Sequence, residues 1–304
     1  HKKLFDVPNE RKIHKHAIPR LGGVAFFPTI LLSCCIVLAL RALMGYNISI
    51  LQAIYALPEC TLLVCGMVLL YLTGIADDLV GVRYHQKFII QILCASLFPI
   101  AGLWINDLYG LFGIYALPSY VGIPFTIFTV VFITNAINLI DGIDGLASGL
   151  SSVALLVFGF LYISKGLWLY SMFAFSTFGV GDTGSLTLGY ILSFLAIKYS
   201  QNNVDVISYT EGAFVIAFST LIVPVFDVVR VILVRFRNGK NPFEPDKNHI
   251  HHKFLAMGFT PRKSMVIILL ISCTFSGLNI LLMPYVNNTL MLIADILIWI
   301  SLNL

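Results

Sequence analysis

Several aspartates stand at the ends of apolar runs, in spacings that suit phosphate and metal chemistry. Asp77 and Asp78 lie side by side where the apolar run of GIADDLVG (74–81) stops. Adjacent carboxylates repel unless a cation or a shared proton relieves them. Mg²⁺ prefers hard oxygen ligands and keeps phosphate in its shell. In NAINLIDGIDGLASG (135–149), Asn135, Asn138, Asp141 and Asp144 recur every three residues. On a helix that spacing makes a slowly drifting polar stripe along one face. Gly142 and Gly145 allow close backbone approach or a helix break. Two plainer readings stand beside the catalytic one: Asp144 as the N-cap of a following helix, and the amides as interhelical polar contacts. In GDTGSLTLG (181–189), Asp182 sits between glycines. A turn leading into a helix N-terminus favours phosphate.

The loop VRFRNGKNPFEPDKNHIHHKF (234–254) adds Arg235, Arg237, Lys240, Lys247, His249, His251 and His252. Three histidines could hold Zn²⁺, yet no cysteine or evident fourth ligand lies nearby. Basicity at a membrane surface is a second reading, and binding of an anionic, phosphate-bearing substrate a third. Metal-binding acids, glycine turns and a basic His-rich loop are together the parts of phosphoryl transfer, where catalysis is mostly positioning and charge neutralisation.

The elements that position these residues must be membrane helices. The 304 residues are 58% hydrophobic and 11% charged, with a mean hydropathy of +0.90; a soluble domain carries about a quarter charged residues. A span needs ~20 mostly apolar residues. Apolar runs predict an all-α, polytopic helix bundle with about ten spans, at 22–44, 60–76, 88–104, 122–138, 146–164, 167–180, 186–198, 212–235, 264–284 and 289–304. Alternating these spans puts sixteen of the 19 Lys and Arg on one side, leaving Arg41, Lys165 and Lys198 on the other. Lys/Arg-rich short loops stay cytoplasmic. Asp77, Asp78, Asp141, Asp144, Asp182, Asp246 and the three loop histidines all map to that cytoplasmic side. Residues 1–21 then also lie in the cytoplasm, which implies a first helix upstream and eleven in the full protein. A transporter would place its acids near the midplane on broken, repeated helices; these acids sit at the edge, and no repeat is evident. The six cysteines lie in or beside apolar runs and suggest no disulfide framework.

The motifs D-D-x-x-G, N-x-x-N-x-x-D-G-x-D-G-L-A, G-D-T-G-S and H-I-H-H, in that order, resemble the polyprenyl-phosphate N-acetylhexosamine-1-phosphate transferases. The segment LFDVPNERKIHKHAIPRLGG (4–23) matches too, and the likeness runs to about residue 263. The H-I-H-H form is similar to the bacterial WecA/TagO branch rather than the one that makes the peptidoglycan lipid intermediate. One departure is local: WLYSMFAFSTFGV runs straight into GDTGS, where the family carries an Asn-containing segment and a basic loop.

The resemblance implies a single transferase domain over 1–304 in the bacterial inner (cytoplasmic) membrane, with its active site facing the cytoplasm. It implies transfer of N-acetylhexosamine 1-phosphate, foremost GlcNAc 1-phosphate, from a UDP-sugar to undecaprenyl phosphate with release of UMP. Another UDP-HexNAc, or UDP-MurNAc-pentapeptide, is the alternative donor. Mg²⁺ is the implied cofactor, with Mn²⁺ able to replace it. The implied partners are the lipid acceptor, the UDP-N-acetylhexosamine, the bilayer and a second copy of the chain, with no nucleic acid. Carried over by motif, Asp182 is the implied metal ligand. Asp77 and Asp78 activate the lipid phosphate, or one of them attacks the donor. Asn138, Asp141 and Asp144 position metal and nucleotide sugar, and Asn135 is implied in substrate binding. His249, His251 and His252 bind the donor phosphates, with Arg235 assisting.

Overall fold

The computed structural model describes residues 5–6, 18–19, 26–45, 50–141, 143, 145–178, 184–201, 213–239 and 249–303. Twelve helices are found among them: α1 (Phe26–Leu43), α2 (Ile50–Val80), α3 (Tyr84–Ile100), α4 (Ser119–Leu139), α5 (Leu146–Ser164), α6 (Trp168–Thr177), α7 (Ser185–Ser200), α8 (Ala213–Ser219), α9 (Ile222–Arg237), α10 (Ile250–Ala256), α11 (Pro261–Leu282) and α12 (Asn288–Asn303). The all-α class expected from the apolar runs holds, apart from two small antiparallel hairpins. These are β1 (Phe5–Asp6) with β2 (Ile18–Pro19), and β3 (Asp107–Leu111) with β4 (Ile114–Ala116).

Each predicted span coincides with a helix or a bent helix pair, but length and hydropathy confirm only part of the count. Four helical stretches are long and apolar enough to cross a membrane: Ala56–Val80, Ser119–Leu139, Leu146–Ser164 and Pro261–Leu282. A fifth is possible if α8 and α9, bent by 75° at Thr220 and Leu221, form one broken span. Two shorter apolar helices lie in α1 and α12, at Phe27–Leu43 and Asn288–Leu302, and α3, α6 and α7, with 17, 10 and 16 residues, also fall short of that length.

Local sequence explains the boundaries. Gly81, at φ +75°, follows the last residue of α2, and its N–H donates to Asp77 O. Gly145, at φ +87°, is the N-cap of α5, so the capping position belongs to it and not to Asp144. Pro261 opens α11 behind Thr260, whose side chain accepts from Lys263 N; proline is well suited to a first turn that has no intrahelical use for its N–H.

Helix α7 is the hub. All of its residues are buried, and it packs against α2, α4, α5 and α8. Gly189 makes the α4 contact possible: a Cβ there would lie 2.6 Å from Thr134 Cα. Tyr190 reaches across to donate to Cys94 O at 3.0 Å and fills the space above Gly66. At the far end of α7, Lys198 Nζ donates to Glu59 Oε1 of α2 at 2.6 Å, and Tyr170 OH of α6 donates to Glu59 Oε2 at 2.6 Å. All three residues are buried. Lys198 is one of the three cations that the alternation of spans leaves outside the larger set, and its charge is neutralised inside the bundle.

Candidate active site

The helix ends that carry the motifs are tied to one another by side chains. At the close of α2, Asp77 Oδ1 accepts from Val82 N at 2.9 Å, and Oδ2 accepts from Lys87 Nζ of α3 at 2.5 Å. One turn further along α3 is the buried Gln91. Its amide pairs reciprocally with Asn135 of α4: Asn135 Nδ2 donates to Gln91 Oε1 at 2.7 Å, and Gln91 Nε2 donates to Asn135 Oδ1 at 3.3 Å. One turn beyond, Asn138 Nδ2 donates to Ser185 Oγ, the first residue of α7, at 2.7 Å. Three side-chain pairs, Asp77–Lys87, Gln91–Asn135 and Asn138–Ser185, thus set Asp77, the N-x-x-N stripe and the serine of GDTGS along a run of polar residues on α2, α3, α4 and α7.

The histidine segment joins the same end through an apolar contact. Ile140 and Ile143, which flank Asp141, share a buried cluster with Leu146 and Ala147 at the start of α5, Ile222 and Val223 at the start of α9, and Ile250 at the start of α10. Asp78 is half-buried, Asn138 and Asp141 are exposed, and Arg235 is buried near the end of α9. Asp144, Asp182 and Asp246 lie outside the described residues, as do Lys240 and Lys247.

The three histidines sit in unlike surroundings. His249 and His251 are buried, and their rings are parallel to within 1° with centroids 5.8 Å apart. His252, half-buried, lies 4.2 Å from His251, centroid to centroid. Among the described residues, neither ring nitrogen of His251 has a hydrogen-bond partner. Burial first, then the neighbouring His252 and His249, lower its pKa to about 4, so it is neutral at neutral pH. A buried unpartnered imidazole is costly unless something polar meets it.

One residue was missed from sequence. Asp227, fully buried on α9, contacts His249 Nδ1 through Oδ2 at 2.8 Å; its Oδ1 accepts from Ile250 N at 2.9 Å and Arg230 Nη2 at 2.8 Å. The available signal was an acid inside an apolar run, which is rarely placed there without a purpose.

Asp78, Asp141 and the amide oxygen of Asn138, whose nitrogen is engaged with Ser185, are hard oxygen donors by chemistry. Among the described residues, no group of three or more His, Cys, Asp or Glu side chains is arranged to hold a metal ion.

Comparison with known proteins decides the family. The sequence profile of glycosyl transferase family 4 matches residues 60–200. The chain is 34% identical over 296 residues to a probable undecaprenyl-phosphate N-acetylglucosaminyl 1-phosphate transferase of Bacillus subtilis, covering 89% of this chain and 75% of that protein. It is 30% identical over 301 residues to the undecaprenyl-phosphate alpha-N-acetylglucosaminyl 1-phosphate transferase of Salmonella typhi, covering 91% of this chain and 76% of the relative. The Escherichia coli K12 protein of the same name is 28% identical over 302 residues, with the same coverage. The chain belongs to the polyprenyl-phosphate N-acetylhexosamine-1-phosphate transferase family. As a family member it is a phosphosugar transferase and a multi-pass membrane protein.

Proposed function

We propose that the protein transfers GlcNAc 1-phosphate from UDP-GlcNAc to undecaprenyl phosphate, releasing UMP, at the cytoplasmic face of a bacterial inner membrane. The observation that carries this reading is the run of polar residues from Asp77 through Lys87, Gln91, Asn135 and Asn138 to Ser185, which brings motifs far apart in sequence to one end of the bundle. The names of the relatives supply the lipid acceptor and the sugar phosphate. The excess of Lys and Arg on that side supplies the orientation. The ten-span count, the single domain over 1–304 and the homodimer belong to the same proposal.

In the reaction, an oxygen of the lipid phosphate forms a new bond to the β-phosphorus of the donor. The bond from that phosphorus to the bridging oxygen breaks, and UMP leaves with the bond's electron pair. The second pKa of a phosphate monoester is about 6, so the acceptor is mostly dianionic at neutral pH and is a competent nucleophile without a strong base. This favours direct transfer over attack by an aspartate. Asp78 and Asp77 orient the acceptor phosphate, Lys87 balances the charge of Asp77, and Asn138 and Asp141 position the donor. The histidines and Arg235 meet the diphosphate. Mg²⁺ would be held by Asp182, with Asp141 and Asp144 positioning it, and would neutralise charge on the donor diphosphate; Mn²⁺ is expected to substitute.

The test is UMP release by the purified protein with undecaprenyl phosphate, Mg²⁺ and a panel of UDP-sugars. Turnover with UDP-GlcNAc above the other donors is expected. Release only with UDP-MurNAc-pentapeptide, or none with any donor, overturns the proposal.

A further inference from the structure

The carboxylate of Asp227 occupies a position that the reaction scheme leaves unexplained. It is fully buried on α9, 22 residues before His249 in sequence, yet both of its oxygens are committed to the segment that begins at His249 and to the next turn of its own helix. Oδ2 meets His249 Nδ1. Oδ1 accepts from Ile250 N, the first backbone N–H of α10, and from Arg230 Nη2. One side chain therefore fixes a ring and the backbone that follows it. Eleven residues separate the end of α9 from His249, and among the described residues the same segment is also seated by packing, with Ile250 in the apolar cluster and Phe254 and Leu255 against it.

We infer that Asp227 is a positioning residue for donor binding, which sets the tautomer of His249 and anchors the start of α10. An ionised carboxylate only accepts hydrogen bonds, so the proton between the two groups resides on His249 Nδ1. The hydrogen bond made by one ring nitrogen decides the role of the other, and Nε2 is left as the nitrogen that can meet a ligand. Arg230 supplies the counter-charge that allows a carboxylate to remain ionised at full burial. The parallel stacking of His249 and His251 transmits the fixed ring plane to the next histidine. The ligand class is the diphosphate of a nucleotide sugar, and this part rests on the donor-binding reading given above.

Two measurements test the inference. The first needs no substrate. In protein labelled with ¹⁵N-histidine, His249 is assigned by difference against His249→Gln, and its neutral form is expected to carry the proton on Nδ1, the less favoured site of a free imidazole. A proton on Nε2 overturns the inference. The second uses Asp227→Asn, which keeps the shape but puts an N–H₂ donor among three donors. The KM for UDP-GlcNAc should rise at least ~10-fold, the scale of losing a histidine's outer partner, with the KM for undecaprenyl phosphate within about 2-fold of wild type. An unchanged donor KM overturns the inference, and so does an equal loss for both substrates, which reports general collapse. Wild-type protein that releases no UMP refutes the proposed function instead, and the tautomer measurement still decides the role of Asp227.

Discussion

Lys87 holds Asp77, not Asp78: the ion pair crosses the corner between α2 and α3, and the Asp77 carboxylate also receives Val82 N. The two neighbouring acids are therefore unequal. Lys87→Met and Asp77→Asn should be coupled, so that the double variant is less impaired than the product of the two single losses. Lys87→Met and Asp78→Asn should combine more nearly independently. The pair is about a quarter to a third exposed, and a coupling of about 0.5–1 kcal/mol is expected, or roughly 2- to 5-fold in kcat/KM. Initial rates of UMP release for the three single and two double variants measure it; strict additivity of Lys87 with Asp77 contradicts the assignment.

Gly189 should not tolerate a methyl group. Its Cβ would meet backbone atoms of Thr134, 2.6 Å from Cα and 3.0 Å from O, and a helix backbone cannot swing aside as a side chain can. Gly189→Ala is expected to destabilise the bundle by about 1–3 kcal/mol through overpacking. Gly74→Ala, on α2 with open space at the Cβ position, should be neutral or gain up to ~1 kcal/mol of helix propensity. Thermal unfolding in detergent compares the two, and equal melting temperatures refute the close approach of α4 and α7.

The Glu59–Lys198 pair makes a third prediction. Lys198→Met alone leaves a buried carboxylate with Tyr170 OH as its one partner among the described residues, and breaking a buried pair costs about 3–5 kcal/mol. The double variant Glu59→Leu/Lys198→Met removes both charges and should recover most of that loss. A double variant no more stable than Lys198→Met would show that the pair is not the source of the effect.

His251 sets a pH dependence whose sign follows from its lowered pKa. The folded protein keeps it neutral down to about pH 4, whereas an unfolded chain protonates histidine near 6.5. Between these values the unfolded state binds more protons, so this contribution to stability is complete above about pH 6.5 and declines as the pH falls towards 4. The stability advantage of wild type over His251→Gln should shrink between about pH 7 and about pH 5. A constant difference across that range contradicts the buried, neutral imidazole.

Much of this architecture was legible in the chain because the bilayer demands long apolar runs. The start and end of α5 and the end of α4 fall within a residue or two of the runs that predicted them. The start of α2 was read ten residues late, because Pro58 and Glu59 look like a boundary; the helix contains Pro58, and Glu59 is neutralised by Lys198. The β3–β4 hairpin was invisible, since it places Tyr109 and Phe112 at φ +52° and +53°, a conformation that sequence patterns assign to Gly, Asn or Asp. The stripe of Asn135 and Asn138 was readable from its spacing, but its partners were not: Gln91 and Ser185 are 44 and 47 residues away. Asp227 escaped for the same reason. Its meaning depends on His249, which only folding brings near.

The complete burial of α7 bears on how the protein is made. Sixteen residues at 1.5 Å per residue give a rod of about 24 Å, short of a hydrocarbon core of about 30 Å, and Lys198 lies near its end. A segment inserting alone into lipid would expose that ammonium and fall short of the far surface. The partner carboxylate, Glu59, is synthesised well before it, on α2, so the emerging α7 meets its counter-charge already waiting in the membrane. Insertion of this helix and assembly of the bundle are then one event, and the helix that bears the serine of GDTGS is lodged against α2, α4 and α5, which precede it in synthesis.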